Sequence, residues 1–177
     1  MLELGGADAD GVLPVLRDGV PVATMRAGGE AATATAEVAG STWAYTQRGA
    51  ELTGRRTTDP EDAVRLRAHR TSTWRGTWSV ELEGVRVDVA NTSVWRGTRR
   101  YSAAGRRLAD SGSTGGWTPR PTLDPDPALP LEHAVFLLWV ELVASHRVGD
   151  GAGVLVTGAD GGADGGADGG GGGGGGD

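Results

Sequence analysis

Residues 131–147 read LEHAVFLLWVELVASHR, and this stretch decides the fold because it is the only long apolar segment in the chain. Its apolar residues cover every face of a helical wheel: the run from Ala134 to Val140 is unbroken, and three more apolar residues follow Glu141. A helix that is apolar on all sides must be surrounded by protein or by lipid. Because the sequence before it has the pattern of short strands, we predict a β-sheet that wraps around this helix.

A protein core suits this helix better than a bilayer does. Its 17 residues extend about 25 Å, which is short of a hydrocarbon core of about 30 Å. Glu141 would cost a few kcal/mol at the centre of a bilayer. Burying the ten apolar side chains in protein offers roughly 15–30 kcal/mol of gross stabilisation. We predict a core helix, with a membrane tail-anchor as the alternative, and expect Glu141 and His133 to lie near its ends or to contact a polar partner.

The composition bounds the class of protein. A chain of 177 residues suits one folded domain once its glycine-rich tail is set aside. It contains no cysteine, which excludes disulfides and thiolate metal sites. The opening segment MLELGGADADG has neither the basic nor the apolar region of a secretory signal. We expect a cytoplasmic protein, peripheral to the membrane if it binds lipid.

Three parts are expected along the chain: a flexible N-terminus at residues 1–10, a folded domain at residues 11–148 and a disordered tail at residues 149–177. The tail consists of GAD and GGAD units followed by eight glycines, a composition that cannot form a core. Residues 112–130 hold five of the eight prolines. They are expected to form a loop that leads into the helix at Pro130.

Short segments that alternate polar and apolar residues predict a series of β-strands before the helix. Asp18-Gly19 between two apolar runs indicates a first hairpin, which Pro14 and Pro21 would confine to a sheet edge. Residues 58–62 favour a turn followed by a strand, with a short helix as the alternative. The predicted strands cover residues 12–16, 20–25, 31–38, 41–46, 51–55, 64–69, 74–83, 85–90, 93–101 and 106–111.

An internal repeat indicates how these strands are connected. The segment WRGT at residues 74–77 recurs 21 residues later, at residues 95–98, and looser versions begin at Trp43 and Trp78. One hairpin repeated at this spacing suggests an up-and-down antiparallel sheet.

Three segments resemble the LURP-one-related and phospholipid-scramblase-like proteins of the Tubby C-terminal-like superfamily. The pattern Trp-x-Tyr-x-x-x-Gly-x-x-Leu at residues 43–52 and the hairpin-like segment at residues 99–108 are similar to the strand pairs of those proteins. Leu129-Pro130-Leu131 followed by the apolar helix is similar to the C-terminal helix of actinobacterial members. The resemblance implies a closed barrel of about twelve antiparallel strands around one apolar helix.

The same resemblance implies a lipid ligand. Tubby proteins bind phosphoinositide head groups, and scramblase-like members have been linked to lipid movement. No phosphoinositide pocket motif matches this sequence residue by residue, and the acidic calcium-binding segment of scramblases is missing. The resemblance therefore assigns no site residue.

The basic residues supply a candidate site instead. All 17 are arginine, and residues 42–107 hold 13 of them against 7 acids. Guanidinium groups on adjacent hairpins can bind lipid phosphates. The alternative is a solvated outer barrel face balanced by Glu81, Glu83 and Asp88. The candidate ligand-binding set is Arg55, Arg56, Arg75, Arg96, Arg99, Arg100, Arg106 and Arg107.

No catalytic, metal, cofactor or nucleic-acid site is expected. His69, His133 and His146 lack the spacing of a zinc site, and neither a nucleophile elbow nor a nucleotide loop is present. The GGAD units lack the apolar residue of calcium-binding β-rolls. Binding of nucleic acid, with tryptophans as stacking platforms, is disfavoured because the chain has a net charge of −6 and its tryptophans are expected to pack inward.

The sequence therefore predicts a mainly β protein, a closed antiparallel barrel wrapped around a buried C-terminal helix. The expected function is a non-catalytic binding module for anionic phospholipid head groups at the cytoplasmic membrane surface. The alternative is a structural or protein-interaction domain with no lipid ligand. Whether the arginines converge on one surface or scatter distinguishes the two.

Overall fold

The computed structural model describes residues 1–28, 32–72, 77–93, 97–114 and 119–148, with the backbone alone at 72 and 146–148. These residues form twelve β-strands and one α-helix. The strands are β1 (Leu2–Leu4), β2 (Val12–Arg17), β3 (Val20–Ala27), β4 (Thr33–Val38), β5 (Ser41–Arg48), β6 (Glu51–Arg56), β7 (Leu66–Ser72), β8 (Thr77–Leu82), β9 (Val85–Ser93), β10 (Thr98–Ala103), β11 (Arg106–Ser113) and β12 (Pro121–Pro125), and the helix is α1 (Leu131–Val148).

The strands form a closed antiparallel barrel in which neighbours in sequence are neighbours in space. β1 closes the barrel by pairing with both β2 and β12, so that Leu2 lies opposite Arg17 on one side and opposite Leu123 on the other. Closure leaves no unpaired edge strand in the sheet. The predicted fold class, a mainly β barrel with a C-terminal helix, is confirmed.

The helix α1 lies inside the barrel. Every residue from 134 to 140 is 0% exposed, and α1 contacts β1, β4, β7, β11 and β12, which stand on different sides of it. Trp139 stacks on Tyr45 with the ring centroids 5.1 Å apart, and Phe136 meets the same tyrosine ring edge-on at 5.6 Å. The helix predicted at residues 131–147 is thus a core helix. The part of the chain that the structure describes has no helical segment with the combination of length and hydropathy that spanning a bilayer requires.

Four hairpin turns use an X-Gly pair in which both residues have positive φ. Such turns match the right-handed twist of the strands they join, and glycine adopts positive φ without strain. Asp18 and Gly19 have φ values of 52° and 83°, so the first predicted hairpin is confirmed. The other three pairs are Ala39-Gly40, Glu83-Gly84 and Ala104-Gly105.

The two strands at the seam of the barrel contradict expectations from the sequence. Residues 1–10, expected to be flexible, contain β1, in which Leu2 and Leu4 are buried. Residues 112–130, expected to form a loop, contain β12. Proline is tolerated at the ends of a strand, and Pro121 and Pro125 stand at the two ends of β12.

Three smaller predictions concern the segment before β7, the end of β9 and the place of Pro14 in the sheet. Residues 57–62 form turns and β7 follows from Leu66, so the turn-then-strand alternative is confirmed. The break expected at residues 91–92, between the predicted strands 85–90 and 93–101, is absent, because β9 continues to Ser93 and places Asn91 opposite Arg99. Pro14 is not on a sheet edge, since β2 pairs with a strand on both sides. Its carbonyl accepts a hydrogen bond from the Gly5 amide at 2.7 Å. Proline has no N–H to donate, and the missing hydrogen bond would fall just beyond the end of β1.

The predicted repeat has a counterpart in the hydrogen bonds. Three alternate hairpin connections, β7–β8, β9–β10 and β11–β12, are each bracketed by a hydrogen-bonded pair six residues apart. The pairs are Thr71–Thr77 (2.9 Å), Thr92–Thr98 (2.8 Å) and Thr114–Arg120 (2.8 Å). The tryptophans that the sequence places at the centre of each bracket, at 74, 95 and 117, lie outside the described residues.

The two ends of the barrel are distinguished by α1. The proximal end holds the N-terminus of α1 together with the connections at residues 18–19, 39–40, 57–65, 83–84 and 104–105. The distal end holds the C-terminal part of α1 and the connections at residues 5–11 and 49–50.

Candidate binding surfaces

The predicted arginine set occupies three separate places. Arg75 and Arg96 lie outside the described residues. The other six are distributed as follows: Arg55 and Arg56 end β6 at the proximal end, Arg100, Arg106 and Arg107 lie on the outer wall of β10 and β11, and Arg99 points into the barrel. Three strands separate β6 from β10. The six described guanidinium groups therefore do not converge on one patch.

The outer-wall arginines are bonded to carboxylates. Asp110 accepts from Arg100 Nε and from Arg107 Nε, each at 2.7 Å, and Arg107 Nη2 lies 2.5 Å from an Asp124 oxygen. The hydrogen bond from Arg100 is the largest cause of a lowered pKa at Asp110, and Arg107 adds to it. A guanidinium that already binds a carboxylate has fewer donors left for a phosphate. Positive and negative side chains alternate along this part of the outer wall, so their charges largely cancel.

Arg106 belongs to the same wall but lies at its proximal end. Its Nη2 is 2.9 Å from an Asp126 oxygen, and its side chain is largely exposed. The pair therefore places one positive and one negative group at the rim of the barrel.

Arg99 is bonded to the helix inside the barrel. Its Nη1 donates to Glu141 Oε2 at 2.5 Å, and the Tyr101 hydroxyl donates to Glu141 Oε1 at 2.5 Å. Burial, the largest effect, raises the pKa of the Glu141 carboxyl against the opposing influence of Arg99, Tyr101 and Ser111. The polar partner expected for Glu141 is thus present. Arg99 faces the barrel interior, which removes it from any site on the outer surface.

Arg55 and Arg56 differ from the other four described arginines of the set because neither forms a salt bridge with a described residue. The guanidinium carbon of Arg56 lies 5.4 Å from the centre of the Trp43 ring, a cation–π distance. Arg55 Nη1 donates to the main-chain carbonyls of Arg56 and Asp59 at 3.3 and 3.1 Å. The Asp59 carboxylate is bonded to Arg65 at 2.5 Å, which is the largest cause of its lowered pKa. Both guanidiniums are therefore held in place without a direct carboxylate contact.

An apolar groove of about 240 Å³ opens beside the N-terminus of α1 at the proximal end. Its walls include Leu82, Val85, Leu108, Leu129 and Pro130, and Arg106, Asp126 and His133 also line it. His133 Nε2 lies 3.4 Å from Glu83 Oε2, so the polar partner expected for His133 is present as well. The groove combines apolar walls with a rim on which positive and negative groups are paired.

The exposed large apolar side chains of the described residues lie at the same end. Met1 is 58% exposed, Val20 62% and Val85 54%. Met1 and Val20 flank the β1–β2–β3 corner, and Val85 begins β9 next to the groove. The proximal end therefore carries exposed apolar side chains as well as Arg55 and Arg56, whereas the interior of the barrel is filled by α1.

The described residues contain no group of three or more His, Cys, Asp or Glu side chains that could hold a metal ion. His69 lies on β7 opposite Glu51, and His133 lies on α1 at the proximal rim. His146, the third histidine, has its side chain outside the described residues.

Comparison of the chain with protein-family models, with curated proteins and with solved structures found no match. The surfaces described above are therefore the basis for assigning a function.

The sequence placed Arg55 and Arg56 among the candidate arginines, but it did not indicate the groove or the partners of the other arginines. The carboxylates that balance Arg100, Arg106 and Arg107 are Asp110, Asp124 and Asp126; of the expected Glu81, Glu83 and Asp88, Glu83 forms an ion pair with a different arginine, Arg65. These partners depend on which residues stand opposite each other across two strand pairs. That register cannot be predicted from the sequence of either strand alone. One signal was available: Arg99 and Tyr101 are two residues apart, so they share a face of β10.

Proposed function

We propose that the protein is a non-catalytic binding module whose proximal end binds anionic phospholipid head groups at the cytoplasmic membrane surface. The observation that carries the proposal is the position of Arg55 and Arg56, which lack a direct carboxylate contact and share the proximal end with exposed Val20 and Val85. Guanidinium groups bind phosphate through their forked N–H donors. Exposed apolar side chains favour the boundary between head groups and acyl chains.

The expected strength of binding follows from the charges. An arginine near an anionic bilayer contributes about 1 kcal/mol, so two contribute about 2 kcal/mol, or roughly 30-fold in partitioning. The loop after β6 also carries Glu61 and Asp62, both exposed, and these oppose an anionic surface. Binding is therefore expected to be reversible and to weaken as salt is added.

The architecture supports the same proposal. A closed barrel of twelve strands around one apolar helix is the arrangement that the resemblance to the Tubby C-terminal-like superfamily implies. We propose that the chain is a member of that superfamily. A lipid ligand and a position peripheral to the membrane then follow as part of the same proposal.

Vesicle flotation tests the lipid ligand. Wild-type protein is mixed with vesicles of phosphatidylcholine alone, or with vesicles that also contain phosphatidylserine. We expect flotation only with the anionic vesicles, and a loss of roughly 30-fold in partitioning for Arg55→Gln/Arg56→Gln. The matched control is Arg26→Gln/Arg48→Gln, which removes the same charge from exposed positions towards the distal end.

Two outcomes would contradict the lipid proposal. One is equal, negligible flotation of the wild-type protein with both kinds of vesicle. The other is an equal loss of flotation in both double variants, which would mean that total charge matters and the proximal end does not. Thermal unfolding of each variant, followed by circular dichroism, checks that the barrel has stayed folded.

A protein-interaction domain without a lipid ligand is the second candidate, and the groove favours it. The Arg106–Asp126 pair at 2.9 Å and the Arg65–Glu83 pair at 3.4 Å leave the rim nearly balanced in charge. Apolar walls with such a rim suit an apolar side chain of a protein partner. This candidate predicts a wild-type protein that does not distinguish the two kinds of vesicle.

A further inference from the structure

The buried residues of α1 do little to fix the rotation or the depth of the helix within the barrel. Residues 134–140 are all apolar and all 0% exposed. A shift of the helix by one residue is a turn of about 100° and a rise of about 1.5 Å, and it would replace one buried apolar side chain by another. An amphipathic helix is fixed in rotation by a polar face that must stay in water. These residues of α1 form no such face.

One polar cluster breaks this uniformity. Glu141 is 5% exposed and is the only buried carboxylate among the described residues. Each of its oxygens has its own donor, Arg99 Nη1 for Oε2 and the Tyr101 hydroxyl for Oε1. Ser111 on the neighbouring strand β11 accepts from the Arg99 amide through its hydroxyl oxygen at 2.8 Å, and it also acts to lower the pKa of the Glu141 carboxyl. A single helix residue is thereby tied directly to two side chains of β10, and Ser111 joins that strand to β11 at the same place.

We infer that the cluster of Glu141, Arg99, Tyr101 and Ser111 sets the rotation and the depth of α1 within the barrel. Hydrogen bonds to both carboxylate oxygens are directional, so the helix satisfies them at one position only. At any other position a carboxylate, a guanidinium and a phenol would all be left buried without partners, which is strongly unfavourable.

The net contribution of the cluster to stability is expected to be small. Removing two charges from water offsets most of their attraction, and replacing such a pair by apolar residues is often neutral or stabilising. The best-attested use of a buried polar group is to choose one arrangement among several apolar ones. The cluster is therefore expected to select one position of α1 while adding little to the free energy of unfolding.

The other contacts of α1 are less selective. Ser145 bonds within the helix, to the carbonyl of Leu142 at 2.7 Å. Phe136 and Trp139 contact Tyr45 through ring faces and edges, and the preference of such pairs for their geometry is smaller than the cost of leaving a buried charge without a partner. His133 reaches Glu83 only at the proximal rim, where Glu83 is 40% exposed.

The chain offers a single-site probe of this inference. Phe136 is its only phenylalanine, and it is fully buried. Protein labelled with fluorophenylalanine therefore gives one ¹⁹F NMR signal for each position of the helix. For Glu141→Leu/Arg99→Met/Tyr101→Leu, which removes the cluster and adds no phenylalanine, we expect a folded barrel with two or more ¹⁹F signals or one broadened by exchange. Wild-type protein should give one sharp signal.

The matched control removes a charge pair from the outer wall. Arg100→Met/Asp110→Leu deletes a salt bridge of 2.7 Å that does not touch α1, and one sharp signal is expected. One sharp signal from the triple variant would overturn the inference, because the apolar contacts alone would then fix the helix. Failure of the triple variant to fold would overturn it too, since the cluster would then be required for stability.

Discussion

At the scale of single residues, the direction of each side chain decides what an arginine can do. Arg99 and Arg100 are neighbours in sequence, yet Arg99 faces the interior and Arg100 the outer wall, because successive residues of a strand point to opposite faces. Arg99 binds the helix, and Arg100 binds Asp110. Sequence counts of positive charge could not separate these roles, because the partner of each side chain depends on strand register.

Asp110 provides a prediction at this scale. Its pKa in the folded state lies below the usual 3.8, so the unfolded chain takes up the proton first as the pH falls. The stability that Asp110 contributes is therefore complete above its usual pKa and is lost as the pH falls through the lowered one. We expect Asp110→Asn to lower the urea midpoint at neutral pH, and the difference from wild type to shrink below pH 3.8.

Urea unfolding followed by tryptophan fluorescence measures these midpoints. Asp88→Asn is the matched control, since Asp88 is exposed on β9 and forms no salt bridge among the described residues. Its midpoint should stay close to that of wild type throughout. A midpoint difference for Asp110→Asn that stays constant as the pH falls would show that the carboxylate pairing contributes nothing.

At the scale of secondary-structure elements, the sequence predicted those elements whose formation depends only on residues close together in the chain. The Asp18-Gly19 turn and the unbroken apolar run of α1 depend on residues close in sequence, and both were predicted correctly. The strands β1 and β12 were missed because each is short and is stabilised by a partner from the other end of the domain. Neither carries enough residues to show a period of its own.

The buried helix gives the prediction at this scale. Leu138→Asp would place a carboxylate at a position that is 0% exposed, and the cost of burying it approaches the whole stability of a domain, about 5–15 kcal/mol. We expect no soluble, folded protein from this variant. The measurement is the soluble fraction after expression, together with circular dichroism.

Leu131→Asp makes the same chemical change at the first residue of α1. That residue is only partly buried, and a carboxylate at a helix N-terminus is favourable. This control should remain soluble and folded. A Leu138→Asp variant that is soluble and unfolds at the wild-type temperature would contradict the assignment of α1 to the core.

At the scale of the whole molecule, closure of the sheet around the helix explains how a small domain buries so apolar a segment. Twelve strands direct one set of side chains inward, and α1 supplies the matching apolar surface on all its faces. The barrel has no free edge, so ligands and partners are left with its wall and its two ends. The sequence predicted this architecture, but the groove at the proximal end arises from segments far apart in the chain and appeared only in the fold.

Thiol labelling tests the enclosure of α1 most directly, because the natural chain contains no cysteine. Leu138→Cys places a thiol at a fully buried position, and Val85→Cys places one at a position that is 54% exposed. We predict that the native Val85→Cys protein reacts at once with a water-soluble maleimide, whereas Leu138→Cys reacts only after unfolding. Labelling of native Leu138→Cys as fast as Val85→Cys would contradict a helix enclosed by its own barrel.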